Sequence, residues 1–144
     1  MNRPHIFIID DDTVQHLILK KRLQSLAPEL CISHFDNGKA VIEYFNTENI
    51  TSRYILFLDL NMPQPNGWEL LDYFARKNSS AWPIDIIIMS SSQTQADRCL
   101  ALSYKMVNTY LLKPITEKIV IASLNEINQS YGMDTIKRNT EPAS

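Results

Sequence analysis

Nowhere does this chain run apolar for the roughly 20 residues a helix needs to span a bilayer, which sets aside a membrane protein. The N-terminus, MNRPHIF, has no long apolar region of the kind a secretory signal carries. Cysteine is scarce, and Cys31 and Cys99 stand apart with no CxxC spacing, which predicts two reduced, buried thiols in a cytoplasmic protein. His5, His16 and His34 show no metal-ligand spacing and are expected to be structural or solvated. No charge dominates: a formal net charge of −2 argues against a broad electrostatic grip on nucleic acid or an anionic membrane. Internal repeats and low-complexity linkers are absent too. What remains is a soluble globular composition, 44% hydrophobic and 21% charged, in 144 residues, one domain's worth of chain.

Short apolar runs alternate with longer helical patterns. The runs are HIFII (5–9), CISHF (31–35), YILFL (54–58), IIIM (86–89) and TYLL (109–112). Three are continuously apolar, as in strands buried on both faces of a parallel sheet; CISHF and TYLL are more mixed and read as edge strands. Between them, Leu19, Leu23 and Leu26 recur at helical spacing, Val41 falls beside Tyr44 and Phe45, and Leu70 and Leu71 fall beside Phe74. Ala96, Cys99, Leu100 and Ser103 form a stripe of mostly small residues, and Val120, Leu124 and Ile127 repeat at i, i+4, i+7. Five strand–helix repeats predict a doubly wound α/β domain over residues 1–130, with right-handed crossovers and helices on both faces. The polar, unperiodic residues 131–144 are expected to be a flexible tail.

In such a sheet, ligands sit outside the carboxyl ends of the strands, where strand order reverses. The first strand ends in Asp10 and Asp11, the third in Asp59, the fourth in Ser90 and the fifth in Lys113. Carboxylates from two strands supply oxygen ligands for Mg²⁺, or for Mn²⁺ in its place. The metal, an ammonium and a hydroxyl together neutralise phosphoryl oxygens, and an aspartate is a competent nucleophile giving an acyl phosphate. DDDTV also fits the DxDx[TV] motif of haloacid-dehalogenase-type phosphatases, with Asp10 attacking and Asp12 as acid/base. That chemistry needs a late acidic pair for the metal, and Glu117, Glu126, Asp134 and Glu141 end no strand, which disfavours it.

In order along the chain, these motifs resemble the receiver domain of two-component response regulators over about residues 3–130. The acidic pair Asp10/Asp11, Asp59 in LDLNMP, the NGWEL opening the third helix, Ser90 and the Lys113–Pro114 pair all match. The resemblance implies a flavodoxin-like sheet of order 2-1-3-4-5 with five helices. It implies Asp59 as phosphoacceptor, and Ser90 and Lys113 as phosphate contacts. Asp11 and Asp59 would ligate the metal directly, Asp10 through water and Asn61 through its backbone carbonyl. Ser90 and Tyr110 would be the switch pair, and the Lys113–Pro114 bond would be cis. Departures are small: Asn66 stands where Asp is common, Ser91 where Ala or Gly is frequent, and Asp85 sits near the start of the fourth strand.

With about 14 residues left after the fifth helix, the chain is expected to be a single-domain regulator, a signalling phosphoacceptor rather than an enzyme, and a monomer or weak dimer. Its expected partners are a sensor histidine kinase or a histidine phosphotransfer protein and a downstream protein of unknown identity. The alternative from another class is a receiver-like module that binds partners without phosphorylation. At about 100° per residue, Val14, Leu17 and Ile18 point away from the buried stripe of the first helix and are expected to dock the phosphodonor. Phosphate on Asp59 is expected to draw Ser90 inward and turn the Tyr110 ring from solvent to buried.

Overall fold

A computed structural model of the protein describes residues 3–47, 52–77 and 83–130. Strands β1 (His5–Ile9), β2 (Cys31–Phe35), β3 (Tyr54–Asp59), β4 (Ile84–Ser90) and β5 (Val107–Leu112) form one sheet in the order β2-β1-β3-β4-β5. All neighbouring pairs are parallel. Helices α1 (Thr13–Leu26), α2 (Gly38–Thr47), α3 (Gly67–Lys77), α4 (Gln95–Leu102) and α5 (Glu117–Ser130) connect them. This is the expected doubly wound topology, with the two mixed runs at the edges. The tail expected over 131–144 lies outside the described residues.

Strand alternation sends successive side chains to opposite faces of the sheet, and each face has its own core. Phe7, Leu56, Leu58, Ile86, Ile88 and Tyr110 pack with Val41, Phe45, Leu70, Phe74 and Ala101, so α2, α3 and α4 cover one face. Ile6, Ile8, Ile55, Phe57, Ile87 and Met89 pack with Leu19, Leu23, Val120, Leu124 and Ile127 of α1 and α5 on the other. The central strands are buried on both sides, which is why they are apolar throughout.

Several local features go beyond or against what the sequence alone suggests. Strand β4 starts two residues earlier than its apolar run, because Asn108 of β5 donates to the Asp85 carboxylate at 2.9 Å and makes an acid acceptable at that position. Strand β5 likewise starts at Val107, where a register shift lies between Ile86 and Ile87 of its partner. The stripe of Ala96, Cys99 and Leu100 in α4, with its C-cap Ser103, faces outward; the packed side is Asp97 and Ala101, with Tyr104 in the turn that follows. Cys31 and Cys99 are both exposed rather than buried.

Gly67 matters for the site above it. A Cβ there would lie 2.5 Å from the Leu60 Cα and 2.6 Å from the Asp59 carbonyl, so α3 can start this close to the end of β3 only with glycine. Both neighbours are backbone and cannot swing aside. Gly67→Ala is therefore expected to cost about 3 kcal/mol, the upper end of the overpacking range. Thermal melting should show this as a fall of about 10 °C; an unchanged melting point would refute the close approach.

Candidate functional site

The three acids after β1 divide into two roles. Asp12 is the N-cap of α1, its carboxylate accepting from the Val14 and Gln15 amides at 3.1 Å each. Asp10 and Asp11 stay at the rim. Ligand oxygens of Asp10, Asp11 and Asp59 lie within 4.8 Å of one another, with Asp10 and Asp59 buried and Asp11 exposed. These oxygens from two adjacent strands suit a hard divalent cation such as Mg²⁺.

Asp59 ends the central strand and is only 3% exposed. Its Oδ1 accepts from the Asn61 amide at 3.0 Å, and its Oδ2 lies 3.3 Å from Lys113 Nζ. Lys113 is also 3.7 Å from Asp10 Oδ2, so one ammonium serves two buried carboxylates. Burial pushes the Asp59 carboxyl above its ordinary range, and the neighbouring Asp10 adds to that; the Asn61 amide and Lys113 pull it back only in part. The rim is thus short of positive charge.

Ser90, at the end of β4, is buried, and its hydroxyl oxygen accepts from the Ser92 amide at 3.0 Å. Its own proton remains to donate. The Lys113 amide donates to the Ser90 carbonyl at 2.8 Å, which joins the ends of β4 and β5. The Lys113–Pro114 peptide is cis, as is Gln64–Pro65, which nothing in the sequence reading anticipated. Tyr110 is buried, with its hydroxyl donating to the Ser92 carbonyl at 3.0 Å; the structure holds the ring inside, not in solvent.

Three contributors escaped the sequence reading. His34 Nε2 donates to the Asp10 carbonyl at 3.2 Å and steadies the acidic turn, and its ring packs on His16 with centroids 3.1 Å apart. Ser92 and Asp97 hold the β4–α4 loop. A signal for the latter was present: Thr94 followed by Asp97 has the spacing of a capping box, and Thr94 is the N-cap of α4.

On α1, Leu19, Leu23 and Leu26 are buried, whereas Val14, Leu17 and Ile18 are 64%, 47% and 41% exposed. Ile18 lines a cleft together with Asp10, Arg22, Met89, Lys113 and Ile115. Arg22 spans it, donating to the Ile115 carbonyl at 2.7 Å.

Comparison with known proteins agrees with this fold. The family model of the response regulator receiver domain matches residues 6–125. Chemotaxis protein CheY1 of Helicobacter pylori is 27% identical over 122 residues, covering 85% of this chain and 94% of that protein. The nitrate/nitrite response regulator protein NarL of Escherichia coli is 34% identical over 125 residues, 84% of this chain, which spans about half (53%) of that regulator. Among solved structures, a two component response regulator from Cytophaga hutchinsonii superposes with a TM-score of 0.78 at 25% identity, covering 90% of this chain and 99% of that one.

Proposed function

The chain belongs to the response regulator receiver domain family, and from that we propose that it accepts a phosphoryl group from a phosphohistidine donor onto Asp59 and changes a partner-binding surface in response. The family is one of signalling phosphoacceptors that work with histidine kinases and phosphotransfer proteins, not of enzymes acting on outside substrates. A cytoplasmic location goes with this reading, and among the described residues no helix is long and apolar enough to cross a membrane.

The observation that carries the proposal is Asp59 itself: a buried carboxylate at the end of the central strand, 3.3 Å from Lys113 and clustered with Asp10 and Asp11. Its Oδ1 accepts from the Asn61 amide and its Oδ2 lies beside Lys113, and a carboxylate oxygen of this residue is the one that attacks phosphorus. The new P–O bond forms as the P–N bond of the donor breaks, and the imidazole nitrogen leaves with the electron pair. Lys113 and the Ser90 proton neutralise oxygens of the transferred group. Asp10, Asp11, Asp59 and the Asn61 carbonyl are the residues to hold Mg²⁺ or Mn²⁺, which supplies further neutralising charge when bound. The product is an acyl phosphate at the floor of the rim. Incubation with acetyl phosphate and Mg²⁺ tests this directly: the intact mass should gain one phosphate, and only with metal present. No gain would leave an interaction module that works without phosphorylation.

The donor is proposed to dock on Val14, Leu17 and Ile18, because these three are exposed and Ile18 shares a cleft with Asp10 and Lys113. Ile18→Asp places a charge in that contact and is expected to slow transfer from a phosphotransfer protein about tenfold, as for loss of an interface anchor of about 1.4 kcal/mol. Labelling by acetyl phosphate should be unaffected. Equal loss in both assays would point to misfolding and remove the docking role.

A further inference from the structure

The loop between β4 and α4 has Ser92 at its centre. Its amide reaches the Ser90 hydroxyl and its carbonyl receives the Tyr110 hydroxyl, each at 3.0 Å. One residue therefore touches both the hydroxyl at the rim and the aromatic under α4. Its side chain is fastened separately. Ser92 Oγ donates to Asp97 Oδ2 at 2.6 Å, in the short range of a charge-assisted bond, and lies 3.2 Å from the Thr94 hydroxyl. Asp97 is itself held, its amide donating to Thr94 Oγ1 at 3.2 Å. The next residue grips Tyr110 from the same turn. The Arg98 guanidinium carbon sits 5.8 Å from the Tyr110 ring centroid, and its NH1 donates to the Tyr110 carbonyl at 3.4 Å.

We propose that Asp97 is a positioning residue which, through the Ser92 hydroxyl, latches the β4–α4 loop in the arrangement that presents the Ser90 hydroxyl to the rim and keeps Tyr110 buried. Without the carboxylate, the Ser92 side chain keeps only its neutral contacts with Thr94, the hydroxyl at 3.2 Å and the amide at 3.4 Å, and the residue can shift. Displacing Ser92 draws its N–H, in the peptide before its Cα, away from Ser90 and its carbonyl, in the peptide after, away from Tyr110, because both peptides are joined at the one Cα. Arg98 then holds a ring whose hydroxyl has lost its acceptor. The latch thus couples the phosphate contact to the buried aromatic before any partner binds. The competing role for Asp97 is that of an acid in the first turn of α4, favourable to the helix dipole and independent of Ser92.

The coupling to phosphate rests on Asp59 as phosphoacceptor, so the test has one arm that does not need it. NMR of the free protein, with the Tyr110 ring signal identified by its loss in Tyr110→Phe, compares Ser92→Ala, Asp97→Ala, the double variant and Ser92→Thr. Each alanine variant should shift the Tyr110 ring and Ser90 amide signals alike, the double no further, and Ser92→Thr should stay close to the parent. Affinity for beryllofluoride in Mg²⁺, a mimic of the phosphoryl group, should fall about fivefold to tenfold in each single variant and no more in the double, as for two residues acting through one bond. Additive losses, or a Tyr110 shift in Asp97→Ala but not Ser92→Ala, would assign Asp97 to the helix dipole and overturn the latch. Failure of the parent protein to bind beryllofluoride would instead remove the phosphoacceptor reading, with the Tyr110 comparison still deciding the latch.

Discussion

Asp59→Asn is expected to take no phosphoryl group from acetyl phosphate, while Asp12→Asn is labelled as fully as the parent. The two residues look interchangeable by charge, yet their surroundings separate them. Asp12 is exposed and its carboxylate is spent on the first turn of α1, a duty asparagine performs almost as well. Asp59 is buried beside Lys113 with one oxygen committed to the Asn61 amide, and an amide in its place has no nucleophilic oxygen to offer. Intact mass after incubation with acetyl phosphate and Mg²⁺ reads the result. Label persisting on Asp59→Asn would show that another residue is the acceptor.

Mg²⁺ at about 100 times its Kd is expected to raise the melting temperature by about 8–10 °C, since binding to the native state alone adds about 2.7 kcal/mol, and each kcal/mol shifts a chain of this size by about 3–4 °C. The acidic cluster gives the effect its second signature. Burial raises the Asp59 carboxyl above the ordinary 3.8, so the folded protein holds that proton more tightly than the unfolded chain does. The resulting stability is fully present below the ordinary value and is lost as pH rises through the raised one. At neutral pH the ionised group is therefore a liability in the absence of metal. Asp59→Asn in chelator should melt above the parent at pH 7, and the gap should close as acid protonates Asp59 in the parent. Calorimetry with and without Mg²⁺ at pH 7, and in chelator over a descending pH series, checks both parts. If neither the metal nor the substitution moves the melting temperature, the cluster is not under the electrostatic load described.

Some of this architecture followed from the order of residues alone. Strand and helix periods are local properties of the backbone, so HIFII, YILFL and the Leu19/Leu23/Leu26 stripe identified their elements and buried faces without reference to anything distant. Because parallel strands with crossover connections bring their carboxyl ends to one edge, the residues at those ends could be collected into one site before any coordinate was known. Asp10, Asp11, Asp59, Ser90 and Lys113 were legible in that way.

Other features depend on partners distant in sequence. Asp85 is tolerated in β4 because Asn108 answers it across the sheet, and Cys99 and Leu100 face outward because Asp97 and Ala101 form the side of α4 that packs. The third acid, Asp12, became a cap only once α1 was seen to begin at Thr13. Tyr110 shows the limit most plainly. Its place in a strand could be read locally, but whether its ring lies inside or outside depends on the Ser92 carbonyl that accepts its hydroxyl and on Asp97, which holds Ser92 in turn. Periodicity carries information over a few residues. The position of a side chain at a rim built from several strands is settled by hydrogen bonds between loops, which only the folded chain brings within reach.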